Sequence, residues 1–128
     1  MIGVDFVVIS RVKRVFDRYG ERFLARFLCQ SERELLARKA YAPRSVAGFW
    51  AAKEACAKAL GVGIGDKLKF LDMRISYTQA NAPLIALDSR RCAELGVESL
   101  ALSISHDGGF AIAVVAVQYS GSMKKGEL

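Results

Sequence analysis

The spacing of apolar residues predicts a strand and then a series of helices in the first half of the chain. Residues 2–9 form a short apolar run rich in branched side chains, which is typical of a buried strand. Beyond it, apolar residues recur at helical spacing. We expect Ser10 to cap the first helix, and Ser31 with Glu34 to form a capping box for the third. The expected helices cover residues 11–19, 23–28, 32–38 and 46–60, with breaks at Gly20 and Gly61.

The second half of the chain changes to the spacing of strands. An imperfect alternation over residues 68–77 and a short run over 84–87 predict a hairpin, and runs over 100–105 and 110–119 predict the last strands. Asp88 and Gly96 mark the ends of one helix between them. The predicted class is α+β, an antiparallel sheet covered by helices. We expect a single domain over residues 1–119 and a polar, mobile tail over residues 120–128.

The composition is that of one folded domain. The 128 residues are 52% hydrophobic and 25% charged, which is too apolar for a disordered chain. No apolar run approaches the roughly 18 residues that span a bilayer, and the first residues lack the basic stretch of a signal peptide. The three cysteines show no metal-binding or disulfide spacing. We therefore expect a cytoplasmic protein with reduced thiols and no membrane association.

The positive charge is concentrated in one part of the chain. The net charge is +6, and residues 11–44 hold ten Lys or Arg against four Asp or Glu. Such a patch attracts a negatively charged partner: nucleic acid, an acidic protein surface or a phosphate-rich small molecule. A small basic nucleic-acid-binding module is therefore one hypothesis. Against it, the aromatic residues of this region fall at the helical spacing of a core and not in a pattern for stacking bases.

The stretch WAAKEACAKAL sets three charged residues, Lys53, Glu54 and Lys58, among small apolar ones. The simplest interpretation is a surface helix in which Glu54 and Lys58 form an ion pair worth about 0.3–0.5 kcal/mol and Lys53 is solvated. However, the alanines leave little bulk around these charges, so another backbone or a ligand could approach closely. Asp5 is unusual in the same way, because a carboxylate in an apolar strand is costly if buried and unpaired. It could lie at a strand edge, pair with a lysine, or bind a hard cation such as Mg²⁺ together with Glu54.

Two further features could belong to a site. Gly61, Gly63 and Gly65 follow a helix instead of opening one, so they form neither a Walker loop nor a dinucleotide fingerprint. They could be a helix end with a flexible turn, or a wall against which a ligand lies. His106, the only histidine, stands at a strand end, where either a structural hydrogen bond or a functional role is reasonable. Without a second histidine or a cysteine pattern, we expect no transition-metal site.

Three blocks of the sequence, taken in order, resemble the signature blocks of the phosphopantetheinyl transferases. They are Ile2–Asp5 leading to Arg11, the stretch from Trp50 to Gly61, and Ser103–His106. The middle block, with its Lys-Glu-(three residues)-Lys-Ala-(one residue)-Gly spacing, is highly specific. Length and block order are closest to the short holo-acyl-carrier-protein synthase type. The resemblance runs from Met1 to about Tyr119.

This resemblance implies a reaction of fatty acid biosynthesis. The 4′-phosphopantetheine arm of coenzyme A would be transferred to a serine of an apo acyl carrier protein, with adenosine 3′,5′-bisphosphate as the other product. Asp5 and Glu54 would bind Mg²⁺ and Lys58 a phosphate of coenzyme A, which makes these three the implied catalytic residues. The resemblance also implies that the nucleotide is contacted by Gly61, Gly63, Gly65, Ser105 and His106. It implies that the acidic helix of the carrier protein is bound by Arg11, Arg18 and Arg22. The family's short members are homotrimers with active sites between subunits, so a homotrimer is also implied.

Some points stay undecided at this stage. Glu32, Glu34 or a metal-bound water could remove the proton of the carrier's serine. The physiological carrier, the tolerance for acyl-coenzyme A, and Mg²⁺ against Mn²⁺ are not determined. The chain departs from the family's usual residues at Cys29, Trp50 and Val62, of which Val62 lacks a hydroxyl for the nucleotide. A non-catalytic scaffold that binds carrier proteins is a third hypothesis, and it would require the loss of metal ligands that are present here.

Overall fold

The structure, a computed structural model, describes residues 1–121 of the chain. Most of the predicted tail, residues 122–128, lies outside the described residues. A 3₁₀ turn over Phe70–Asp72 precedes the second strand. The helices and strands are, in chain order, β1 (Ile2–Val8), α1 (Ile9–Tyr19), α2 (Glu21–Phe27), α3 (Gln30–Arg38), α4 (Pro43–Leu60), β2 (Met73–Tyr77), β3 (Pro83–Leu87), α5 (Ser89–Leu95), β4 (Val97–Asp107) and β5 (Phe110–Tyr119).

The strands form two antiparallel sheets, which confirms the predicted α+β class. One has three strands in the order β1-β5-β4, and the other pairs β2 with β3. Along β5, alternate residues are buried against α4, beginning with Ala111 and Ala113. The opposite, outer face of the sheet carries large apolar side chains that are exposed in the single chain: Ile2, Val4, Phe6, Phe110 and Val114.

Helix α4 lies at the centre of the fold, and its alanines let the sheet approach it. Gly3 of β1 faces the helix so closely that a Cβ atom there would overlap backbone atoms of Ala55 and Ala59. Because both partners are small, β1 can run directly over the helix. This explains the alanine content of α4, and it brings the next inward-facing residue of the strand, Asp5, beside the second half of the helix.

Several local predictions are wrong by one or two residues. Ser10 lies inside α1 and does not cap it, since α1 begins at Ile9 after Val8. The capping box of α3 is not made by Ser31 and Glu34; instead Glu32 Oε1 accepts a bond of 2.8 Å from the N–H of Cys29. The caps of α5 are confirmed: Asp88 accepts bonds from two helix N–H groups, and the helix ends at a glycine with a left-handed backbone.

None of the helices in residues 1–121 has both the length and the apolar character that crossing a bilayer requires.

Candidate functional site

Asp5 and Lys58 form an ion pair between β1 and α4. The Nζ atom of Lys58 lies 2.8 Å from Oδ1 of Asp5 and 3.2 Å from the carbonyl oxygen of Val4. The carboxylate is largely enclosed, with 14% of the Asp5 side chain exposed, whereas 55% of the Lys58 side chain is exposed. The predicted pair of Lys58 with Glu54 does not form within the described residues. The lysine is therefore anchored by the strand, and most of its side chain faces solvent.

Glu54 shares this site without a cationic partner of its own in the described part of the chain. Partial burial raises the pKa of Glu54, the nearby charge of Asp5 raises it further, and Lys58 opposes the shift. Two carboxylates that repel each other in this way suit a divalent cation. In residues 1–121, no three His, Cys, Asp or Glu side chains gather as a metal-binding group. The carboxylates available to a cation here are Asp5 and Glu54, a number that fits Mg²⁺, since this ion takes one or two protein carboxylates and completes its shell with water and phosphate oxygens.

Lys53 is not solvated, contrary to the expectation from the sequence. Its side chain is fully buried, and Nζ donates to Glu32 Oε1 at 2.9 Å and to the carbonyl oxygens of Phe27 and Phe70 at 2.6 and 3.1 Å. Burial lowers the pKa of Lys53, and the Glu32 carboxylate opposes that shift. The two lysines of the middle block therefore have different environments: Lys53 lies in the core and Lys58 in the site.

Glu32 is excluded as the base that the sequence analysis left open. It is fully buried, and its second oxygen accepts a bond of 2.7 Å from the N–H of Ile75. With the Cys29 N–H and Lys53 also bound, the carboxylate has no access to a substrate. Glu34 is exposed on α3, where it accepts a bond of 3.3 Å from Gln30. Among residues 1–121, no hydrogen bond or ion pair connects Glu34 with Asp5 or Glu54.

A groove connects the carboxylate pair to the basic helices. It has a volume of about 410 Å³ and is lined by Asp5, Glu54, Arg11 and the rings of Phe23 and Trp50, among others. A second groove of about 660 Å³ lies between α1 and α2, where Arg22 and Tyr19 line it. The three arginines predicted to bind the carrier, Arg11, Arg18 and Arg22, are all exposed on α1 and α2. Positive charge and apolar surface therefore lie together next to the site.

His106 belongs to a different cavity. This cavity, of about 530 Å³, is also lined by Lys39, Arg44 and Asn81. The Nζ atom of Lys39 lies 4.3 Å from the centre of the Tyr77 ring and donates to its hydroxyl at 3.1 Å. The sequence carries no signal for Lys39 or Arg44 beyond their membership of the basic region.

The turn that presents Lys39 and Arg44 has a strained backbone. Ala40 and Tyr41 both have φ of 54°, in the left-handed region that residues with a Cβ atom rarely adopt. The Tyr41 hydroxyl donates to Glu21 at 2.9 Å, and its ring stacks on Phe16 with centroids 5.4 Å apart. These contacts with α1 and α2 hold the turn in place, so the basic residues of the His106 cavity are positioned by the basic helices.

The two halves of the predicted site do not meet within one chain. The cavities around Asp5 and His106 share no lining residue. Along α4, the His106 cavity is lined by Arg44, Ser45, Gly48 and Phe49, whereas the Asp5 groove is lined by Trp50 and Glu54. Ser105 neighbours His106 but is exposed on the outer face of the sheet, opposite Ile112. One chain therefore presents two separate clusters of candidate residues.

The glycine segment, defined as residues 61–66, follows α4 directly beyond Lys58. Gly61 ends the helix with φ of 72°, a conformation for which glycine is favoured. Gly63 and Gly65 have no left-handed φ, and a Cβ atom on either would meet no atom within 4 Å. Neither the backbone nor the packing of this chain requires glycine at these two positions. The segment therefore presents a surface with few side chains directly beyond Lys58.

Comparison with known proteins connects this arrangement to a family. Residues 1–115 match the sequence model of the 4′-phosphopantetheinyl transferase superfamily. The chain belongs to this superfamily. The matched residues include all three sequence blocks, and the match confirms the resemblance stated from the sequence.

Similar transferases are known from several bacteria. The holo-[acyl-carrier-protein] synthase of Helicobacter pylori is 53% identical over 120 residues, which cover 94% of this chain and 98% of that protein. The protein of the same name from Wolinella succinogenes is 50% identical over 118 residues, 92% of this chain and 97% of that one. A crystal structure of the Helicobacter pylori synthase with coenzyme A has a TM-score of 0.86 and 51% identity, covering 92% of this chain and 100% of that chain. The synthase from Neisseria meningitidis has a TM-score of 0.81 and 30% identity, covering 91% and 96%.

Proposed function

We propose that this protein is a holo-acyl-carrier-protein synthase, which transfers 4′-phosphopantetheine from coenzyme A to a serine of an apo acyl carrier protein. Adenosine 3′,5′-bisphosphate is the other product. The observation that carries the proposal is the meeting of Asp5, Glu54 and Lys58 between β1 and α4, in a chain of this superfamily. It is supported by 53% identity to a synthase of that name over nearly the whole of both chains.

Asp5 and Glu54 would hold a Mg²⁺ ion. When bound, the ion supplies positive charge to the pyrophosphate oxygens during attack on the phosphorus. The protein's own part is to hold two carboxylates on rigid elements, one on a central helix and one on the strand packed against it. The raised pKa of Glu54 reflects its partial burial and, after it, the repulsion by Asp5, and a bound cation would offset this repulsion.

Lys58 would bind a phosphate group of coenzyme A. Its ammonium is tethered to Asp5 and to the carbonyl oxygen of Val4, but more than half of the side chain is exposed. Because the stem is flexible, the ammonium can reach a phosphate oxygen near the carboxylates without movement of the backbone. Charge stabilisation of this kind is the main requirement of phosphoryl transfer, in which positioning and electrostatics dominate.

The basic helices would receive the carrier protein. Arg11 lines the groove that contains Asp5 and Glu54, so a carrier bound along α1 brings its serine towards the carboxylate pair. Arg18 and Arg22 extend the positive surface along α1 and α2. An acidic helix is the complementary partner, since opposite charges steer association. The alternative of a nucleic-acid module has less support, because Phe23 and Phe27 pack with Trp50 in one aromatic cluster and leave few rings for bases.

We further propose that the complete site forms between subunits of a homotrimer. His106, Lys39 and Arg44 form a basic cavity suited to the nucleotide, which shares no lining residue with the groove of Asp5 and Glu54 in the same chain. The outer face of the sheet supports association, because its large apolar side chains, with Ile2 71% and Phe6 62% exposed, are unusual for a monomer. Ser105 lies on that same face. A neighbouring subunit seated there could bring one chain's His106 cavity to another chain's carboxylate pair.

The proposed location is the cytoplasm. Cys29, Cys56 and Cys92 are all free thiols, which agrees with a reducing compartment.

The deciding experiment is intact mass spectrometry of an apo acyl carrier protein after incubation with this protein, coenzyme A and Mg²⁺. The expected result is a gain of one phosphopantetheine that EDTA abolishes and that Glu54→Gln, shown to be folded, does not produce. No gain with several apo carriers would contradict the proposal and direct attention to a binding role for the basic helices. A gain that persists in EDTA would contradict the metal assignment alone.

A further inference from the structure

Arg91 of α5 fastens the far end of the glycine segment. It is largely buried, with 8% exposed, and its Nη2 donates to the carbonyl oxygen of Asp66 at 3.2 Å. In the same turn, the N–H of Gly65 donates to the carbonyl oxygen of Leu68 at 2.8 Å. Within the described residues, Arg91 provides the side-chain hydrogen bond that the segment receives. The other end of the segment is fixed by the helix end at Gly61.

The guanidinium is itself held rigidly by the 3₁₀ turn and by its own helix, α5. Its Nε donates to Asp72 Oδ2 at 2.9 Å, and Nη1 donates to Glu94 Oε1 at 3.0 Å. The N–H of Asp88 donates to the carbonyl oxygen of Asp72 at 2.7 Å, and the Asp88 side chain caps α5. Arg91 therefore joins the glycine segment to the 3₁₀ turn and to α5 through a planar group with fixed donor directions.

These bonds leave Arg91 unsuited to bind a phosphate directly. Its charge is matched by Asp72 and Glu94, and nearly all of its surface is covered. Any effect on a ligand must pass through the segment that it holds. That segment presents Gly63 and Gly65, where no packing contact within residues 1–121 requires glycine.

We infer that Arg91 is a positioning residue that holds the glycine segment as a preformed wall for the nucleotide part of coenzyme A. This inference rests on the proposed function, because coenzyme A is the ligand only if the protein is a phosphopantetheinyl transferase. A segment fixed at both ends loses little conformational freedom when a ligand lies against it, and preorganisation of this kind increases affinity. Release of the Asp66 end should therefore weaken nucleotide binding, while the chemical step at Asp5, Glu54 and Lys58 proceeds as before.

The test compares Arg91→Met and Arg91→Lys with the wild-type protein, with Arg90→Met as a matched control. Arg90 is adjacent on α5, is exposed, and lies 4.0 Å from Glu94 without contact to the segment. Calorimetry measures the Kd for coenzyme A and for adenosine 3′,5′-bisphosphate, and steady-state kinetics measure kcat and both KM values. We expect the Kd for both ligands to rise about tenfold in Arg91→Met, with kcat and the carrier KM within about twofold of wild type. Arg91→Lys, which keeps the charge but has a single donor nitrogen, should give Kd values between those of wild type and Arg91→Met.

Equal Kd values for folded Arg91 variants and wild type would overturn the inference and leave the proposed function intact. The inference would also be overturned if kcat fell and the carrier KM rose in Arg91→Met by the same factor as the Kd. A general loss of folded structure predicts that pattern. If Arg91→Met does not fold, Arg91→Lys decides by the same criteria. A wild-type protein that binds neither ligand would instead overturn the proposed function, and the inference with it.

Discussion

The ammonium of Lys58 lies 2.8 Å from the Asp5 carboxylate, across the interface between the central helix and the strand that covers it. This pair joins the first sequence block to the middle one, which are separated by about fifty residues in the chain. The contact is possible because Gly3 and the alanines of α4 let the strand lie directly on the helix. Asp5 is largely enclosed, whereas more than half of the Lys58 side chain is exposed. A change at Lys58 should therefore affect the chemistry more than the folding.

Lys58→Met should abolish most of the transfer activity without much loss of stability. The ion pair is partly exposed, so its removal should change the free energy of unfolding by less than about 1 kcal/mol. Loss of one charge-stabilising group in a phosphoryl-transfer site should lower kcat by roughly 10²- to 10³-fold. Urea unfolding and carrier modification rates measure the two effects. Lys67→Met, at an exposed lysine beyond the glycine segment, is the control. A variant that is unfolded, or as active as the control, contradicts the assignment.

Lys53→Met should have the opposite effect, a large loss of stability. Removal of this fully buried lysine leaves the Glu32 carboxylate without its cation, which should cost about 3–5 kcal/mol. The double variant Lys53→Met/Glu32→Gln should be more stable than the single one, because it no longer buries an unpaired charge. The melting temperatures of both variants are compared with that of Lys58→Met, which carries the same substitution at the exposed lysine of the same helix. Equal melting temperatures for Lys53→Met and Lys58→Met would show that the buried pair does not matter for folding.

Lys53 also shows where prediction from the sequence ends. Helical spacing, the α5 caps and the hairpin turn depend on neighbours in the chain, and these predictions hold. The partners of Lys53 lie 17 to 26 residues away and include two backbone carbonyl groups, so no local pattern identifies them. The misplaced capping box has the same origin. The spacing of Ser31 and Glu34 favoured Glu34, whereas the structure uses Glu32, whose carboxylate is held by buried contacts with Lys53 and Ile75.

The catalytic candidates were easier to predict than the rest of the site. Asp5 and Glu54 are conspicuous because charged residues interrupt apolar stretches, and the structure brings them into one groove. Lys39 and Arg44 are two of ten basic residues in their region, and only the strained turn at Ala40 and Tyr41 sets them beside His106. The role of Arg91 could not be predicted from local spacing, since Asp72 and Asp66 lie 19 and 25 residues away and only Glu94 is on the same helix.

Gly63→Ala and Gly65→Ala should weaken coenzyme A binding and leave the fold unchanged. An added Cβ meets no atom of this chain within 4 Å at either position, so the free energy of unfolding should change by less than about 1 kcal/mol. A ligand lying against the segment would meet the new methyl group, and the Kd should rise about tenfold or more. Calorimetry with coenzyme A and urea unfolding provide the two measurements.

Gly3→Ala is the matched control for these two glycine variants. Its Cβ atom would overlap the backbone of α4, so the same substitution should here destabilise the protein by roughly 1–3 kcal/mol or more. If Gly63→Ala and Gly65→Ala bind coenzyme A as wild type does, the glycine segment is only a turn. If they lose stability like Gly3→Ala, their glycines are required by the fold.

Cys56 should make the protein less stable at alkaline pH. Burial in α4 raises the pKa of its thiol from 9.0 to about 12, although Lys53 opposes the shift. Above the lower value the unfolded chain loses this proton while the folded chain keeps it, so stability falls as pH rises, by up to about 1.4 kcal/mol per unit. Unfolding in urea between about pH 8 and about pH 11 should show a shallower decline for Cys56→Ala than for wild type or for Cys92→Ala, at a partly exposed cysteine. Parallel declines in all three proteins would mean that Cys56 ionises as readily in the folded state as in the unfolded chain.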